Sequence, residues 1–156
     1  MFLARALEAA GFAVFLAGTA VLALIDAHTM LLPNRVLYPV FWSGLALLAC
    51  STACAGSWLR LAVALASAAT LVGGFFLLHK TSGLGMGDVR LAGLLGLFLG
   101  WVGPATAFAG LVLGTLLAGV FASVLLLTRK TTRRRMVPYG PFLILGAWLA
   151  LSLAAA

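Results

Sequence analysis

Asp26 and Asp88 are the side chains best suited to do chemistry in this chain. Asp26 closes an apolar run over residues 11–25, and Asp88 ends the stretch Gly83-Leu84-Gly85-Met86-Gly87-Asp88. An ionisable residue in or beside a bilayer is costly, so its presence points to function. Two carboxyl groups held close together cannot both ionise easily. One then stays neutral and donates a hydrogen bond, while the other takes a proton from water. Glu8, near the amino terminus, is the third acidic residue of the 156. Whether the two aspartates can meet depends on which side of a membrane each occupies.

The chain is 64% hydrophobic and only 8% charged, with a mean hydropathy of +1.20. A soluble domain of this size cannot hide that much apolar surface. The composition therefore predicts a polytopic membrane protein, all-α, with residues 1–156 forming a single transmembrane domain. The net charge of +7 does not indicate nucleic acid. Five of the ten basic residues fall within residues 129–135, and a short basic run between apolar segments reads as a cytoplasmic loop near anionic lipid headgroups. Cys50 and Cys54 share one helical face. Two thiols without a histidine make a poor zinc site, and the two read as small packing residues.

A spanning helix needs roughly 20 apolar residues. The sequence supplies six such segments, near residues 9–25, 36–55, 61–79, 88–103, 104–128 and 139–156. The first follows Arg5 without a small-residue cleavage site, so it reads as a span rather than a signal peptide. The fourth is short, and Gly103-Pro104 marks a tight turn after it, unless the turn falls a few residues later. Gly96-xxx-Gly100 and Gly110-xxx-Gly114 allow close helix approach.

Charge sets the orientation. Arg35, Lys80, Arg90 and the basic residues of 129–135 fall in the connections after the first, third and fifth segments, while Arg5 and Arg60 fall on the opposite side. Positive charge marks the cytoplasmic side. Both termini are then expected outside. Asp26, ending the first segment, and Asp88, opening the fourth, share the cytoplasmic side.

Three motifs surround these positions. Asp26-Ala-His-Thr-Met-Leu-Leu-Pro33-Asn34-Arg35 places a turn or helix start shortly after the first aspartate. Gly85-Met-Gly87-Asp88-Val-Arg90 contains glycines that permit unusual backbone angles or close approach to a neighbour. Val137-Pro138-Tyr139-Gly140-Pro141-Phe142-Leu143 is a rigid entry into the last helix.

Taken in order, these motifs resemble the prepilin peptidase family, membrane aspartic proteases that remove leaders from type IV pilins and pseudopilins. In that family the first aspartate precedes a Pro-Asn pair, the second lies in Gly-x-Gly-Asp, and a Pro-x-Gly-Pro-Phe segment follows. The resemblance implies a bacterial inner-membrane endopeptidase serving type IV pilus assembly or protein secretion. Its catalytic pair would be Asp26 and Asp88, acting at the cytoplasmic face on a prepilin substrate. Gly85, Gly87, Asn34, Arg90 and Tyr139 would be supporting or substrate-contacting residues. The paired Cys-x-x-Cys insertion of larger members, associated with methylation, is not seen here, which resembles the compact peptidase-only branch. Arg90 stands where a lysine is usual, which keeps charge but changes its geometry.

Such chemistry needs neither a metal nor an organic cofactor. Helix direction predicts an asymmetry, with Asp26 at a helix carboxyl end as the protonated partner and Asp88 near a helix amino end as the ionised base. His28 is either a partner of Asp26 or an interfacial histidine. Asn34 either caps the second helix or orients Asp26 or substrate. Tyr139 is either structural or lines the site. Two other functions fit membrane carboxylates, a proton- or cation-coupled transporter component and an inactive scaffold of a pilus or secretion assembly.

Overall fold

Six helices in antiparallel succession account for nearly all of the described residues. In a computed structural model, which describes residues 1–29, 32–82, 85–127 and 139–156, they are α1 (Phe2–Thr29), α2 (Asn34–Ala55), α3 (Trp58–Ser82), α4 (Met86–Val102), α5 (Pro104–Leu127) and α6 (Gly140–Ala155). No strand occurs among the described residues. The protein is an all-α, multi-pass membrane protein. Helices α1, α2, α3 and α5 are each long and apolar enough to cross a bilayer, and α6 is a shorter apolar helix. Residues 83–84, the basic stretch 129–135 and Pro138 lie outside the described residues.

The chain stops and starts its helices where local chemistry dictates. Gly56 ends α2 in the left-handed conformation (φ 70°), and its N–H donates to the Thr52 carbonyl at 2.7 Å. Glycine adopts that angle without a Cβ penalty. Gly103 ends α4 and Pro104 opens α5, since proline lacks the N–H that a first helical position does not need. The tight turn therefore falls at Gly103-Pro104 and not later in the fifth segment.

Packing follows three hairpins, α1 with α2, α3 with α4 and α5 with α6, with α4 also touching α2, α5 and α6. Both small-residue pairs lie at such contacts. A Cβ on Gly96 would come 2.7 Å from the Ala68 Cα, and one on Gly100 would come 3.1 Å from the Ala64 Cα. A Cβ on Gly114 would meet the Leu143 Cα at 2.9 Å. Close backbone approach supplies the dispersion that holds helices together in lipid. As a result α4 is the central element, with every side chain over residues 91–101 buried. Phe98 stacks on Phe15 with centroids 4.4 Å apart and meets Phe12 edge-on at 5.4 Å.

Two features differ from the sequence expectation. Helix α1 begins at Phe2, a turn and more before the apolar segment that starts near residue 9, and the Glu8 carboxylate in that added stretch has a partner inside the fold. The Trp101 indole N–H donates to Glu8 Oε1 at 2.7 Å. Cys50 and Cys54 are free and exposed rather than packed inside.

Candidate functional site

One end of the bundle gathers the residues singled out from sequence. Asp26 lies in the last turn of α1 and is 4% exposed. A carboxyl this deep normally carries hydrogen bonds, yet among the described residues Oδ2 has no hydrogen-bond partner. Asp88 lies in the first turn of α4 and is half-buried. Its N–H donates to the Gly85 carbonyl at 3.1 Å. The end of α1 and the start of α4 fall at the same end of the antiparallel bundle, which places the two aspartates on one side. They approach from opposite helix polarities, a carboxyl end for Asp26 and an amino end for Asp88.

Glycines make this approach possible. A Cβ on Gly140, at the start of α6, would fall inside contact distance of Asp26 Oδ2 and 3.1 Å from its Cγ. Gly140 thus lies directly against Asp26, a contact that sequence reasoning left unassigned, although the Pro-x-Gly-Pro-Phe segment contained it. Gly87 has a comparable role, since a Cβ there would lie 3.0 Å from the Leu32 Cβ. Gly85 precedes α4 with φ −61° and ψ 138°, an extended conformation open to most residues. A Cβ there would be 3.4 Å from Asp88 Oδ2. Close approach, not unusual backbone angle, is what these positions require.

Arg90 and Asn34 meet. Arg90 Nη1 donates to Asn34 Oδ1 at 2.7 Å, linking the heads of α4 and α2. Asn34 makes no capping bond for α2, whose cap position is Pro33. Its side chain thus serves Arg90 and not the cap of α2. Tyr139 precedes α6, half-buried, and its carbonyl accepts from the Leu143 N–H at 3.1 Å. It packs against the hydrophobic core. His28 is exposed while Asp26 is buried. Two residues on, at 100° per residue, it projects from the other side of α1. At the same end of the bundle, Lys80 lies over the Phe76 ring at 5.1 Å. The described residues contain no group of three or more His, Cys, Asp or Glu arranged to hold a metal ion.

Comparison with known proteins places the chain in a family. The profile of the type IV leader peptidase family matches residues 13–127. A prepilin leader peptidase/N-methyltransferase of Aeromonas salmonicida (strain A449) is 31% identical, over 83% of this chain and 44% of its own length. Its counterpart in Pseudomonas putida is 34% identical over the same shares. The counterpart in Burkholderia pseudomallei (strain K96243) is also 34% identical, over 78% of this chain and 39% of its own length. The chain thus spans less than half the length of the curated relatives it matches. No solved structure matches it. With the profile covering both aspartates and most of the bundle, the chain belongs to the type IV leader peptidase family.

Proposed function

We propose that this chain is a membrane aspartic endopeptidase that removes the leader from type IV prepilins or pseudopilins, with Asp26 and Asp88 as its catalytic pair. The observation that supports this reading is the placement of Asp26 and Asp88 at one end of the bundle, the first buried with an oxygen that has no partner among the described residues. The names of the relatives supply the substrate class.

In this mechanism one aspartate acts as base and the other as acid. The ionised carboxylate accepts a proton from water as the water oxygen attacks the scissile carbonyl carbon. The neutral carboxyl donates to the carbonyl oxygen, and the tetrahedral intermediate collapses with a proton passing to the leaving amine. Helix direction assigns the roles. The carboxyl end of α1 disfavours charge on Asp26, which holds the proton, and the amino end of α4 favours charge on Asp88, which is the base.

The remaining assignments follow from charge. Arg35, Lys80 and Arg90 share the aspartates' end of the chain's connections, and residues 129–135 add five more cations there. That end faces the cytoplasm of a bacterial inner membrane, both termini face outward, and the basic stretch contacts anionic headgroups. Residues 1–156 act as one peptidase domain. Gly85, Gly87, Asn34 and Arg90 shape the site around the pair, and Tyr139 positions the start of α6.

Leader cleavage in membranes tests this. Wild type, Asp26→Asn and Asp88→Asn would each be co-expressed with candidate prepilins. Cleavage by wild type alone, at equal expression, is expected. Cleavage persisting in either variant removes that residue from the mechanism. Failure of wild type on every candidate shifts weight to ion-coupled transport or a scaffold role.

A further inference from the structure

The opposite end of the bundle contains a second polar site. The residues in the amino-terminal half of α1 and around the α2–α3 turn include just three charged side chains, Arg5, Glu8 and Arg60. All three line one cavity of about 240 Å³, together with Ser51, Ser57 and Trp101. Arg5 and Arg60 are also the two cations that depart from the positive-inside distribution. Arginines that depart from a charge bias and converge from distant sequence positions on one pocket call for a common cause.

Internal pairing does not provide it. Glu8 is directed to Trp101 through the 2.7 Å hydrogen bond. Ser51 Oγ donates to the Ala4 carbonyl at 2.9 Å. Among the described residues neither arginine forms an ion pair. Among its side chains the cavity therefore carries two cations against one anion, so its lining is net positive. Its surroundings are those of a lipid interface. Phe2, Leu3, Trp58 and Leu59 are all strongly exposed beside it, and a tryptophan in such a position sits at headgroup level.

We propose that this cavity binds the headgroup of an anionic glycerophospholipid from the leaflet opposite the aspartates. The guanidinium groups of Arg5 and Arg60 hold the phosphodiester, for which their planar donors are suited. Headgroup hydroxyls, as in phosphatidylglycerol, donate to the free side of the Glu8 carboxylate. The acyl chains lie along the exposed apolar residues. This site is independent of the proteolytic reading.

The test uses the full chain, purified in neutral detergent and stripped of lipid, then titrated with phosphatidylglycerol, phosphatidylcholine or inorganic phosphate. Phosphatidylglycerol is expected to raise Tm by about 4 °C, as a ligand that binds only the folded state does, and to give one retained lipid in native mass spectrometry. Arg5→Gln with Arg60→Gln abolishes both effects. Glutamine at all five basic positions of 129–135 leaves both in place, which separates this site from that stretch. If the double variant does not fold, Arg60→Lys keeps the bound lipid and Arg60→Gln loses it. The proposal is overturned if phosphatidylglycerol has no effect on wild type, or if its effect survives loss of the arginines. It is equally overturned if the effect vanishes with the 129–135 charges, or if phosphatidylcholine or inorganic phosphate matches it at equal concentration.

Discussion

Arg90 and Asn34 join the heads of two helices that are not neighbours in sequence, Nη1 donating to Oδ1 at 2.7 Å. The link fixes α4, and with it Asp88, against α2, which forms a hairpin with the helix carrying Asp26. A displacement of about 1 Å between reacting groups can cost on the order of 100-fold in rate. Arg90→Met and Asn34→Leu are each expected to lower kcat by roughly 10- to 100-fold with KM little changed. The double variant should be no worse than the poorer single one, because both remove the same link. Asn34→Asp, which keeps an acceptor, should retain activity. Steady-state cleavage of a prepilin by the purified variants gives the kcat and KM values that decide it.

Gly140 lies against Asp26 so closely that no side chain fits between them. Gly140→Ala should destabilise the protein by about 2 kcal/mol, the ordinary cost of overpacking a tight site, and should abolish cleavage. Asp26→Ala in the same background removes the atoms in conflict. Thermal unfolding of the pair should therefore show stability recovered, while leader cleavage stays absent. A Gly140→Ala protein as stable as wild type would contradict this account.

Glu8 and Trp101 form a partly buried, charge-assisted hydrogen bond far along α1 from Asp26. Losing a bond of this kind costs about 2 kcal/mol. Glu8→Leu and Trp101→Phe should each lower stability by roughly that amount, with the rate of leader cleavage per folded molecule unchanged. Denaturation of the two variants, read beside their activity normalised to folded protein, checks both halves.

Gly96 presses on backbone, with a Cβ there 2.7 Å from the Ala68 Cα. A backbone atom cannot rotate aside as a side-chain tip can. Gly96→Leu is expected to separate α3 from α4 at a cost of about 3 kcal/mol or more, seen as loss of folded protein in detergent. Gly119→Ala, where a Cβ meets nothing within 4 Å, should be neutral in the same assay.

Some of this was legible in sequence because membrane composition makes carboxylates scarce, so Asp26 and Asp88 stood out with little competition. The six segments were legible for the same reason, and Gly103-Pro104 marked its turn through proline chemistry alone. The start of α1 was not. Hydropathy marks the apolar run and not the helical turns before it, and the partner of Glu8, Trp101, is brought to it only by the folded bundle. The Arg90–Asn34 bond likewise depends on how α2 and α4 pack, and spacing along the chain does not encode that. Nor could the outward face of Cys50 and Cys54 be read, since lipid is as apolar as a helix interface and hydropathy does not separate them. Gly140 was present in a motif, but its role lies in a contact with a residue from the other end of the chain.

The burial of α4 also bears on how the protein is made. At 17 residues this helix is about 26 Å long, shorter than the roughly 30 Å hydrocarbon layer, and it carries Asp88 and Arg90 at one end. With residues 91–101 wholly enclosed, its stability comes from neighbours and not from lipid. During synthesis it has only α1–α3 to lean on, since α5 and α6 have not yet emerged. Integration of α4 is thus expected to depend on its packing against α3, and damage to the α3 surface should appear first as a defect of biogenesis.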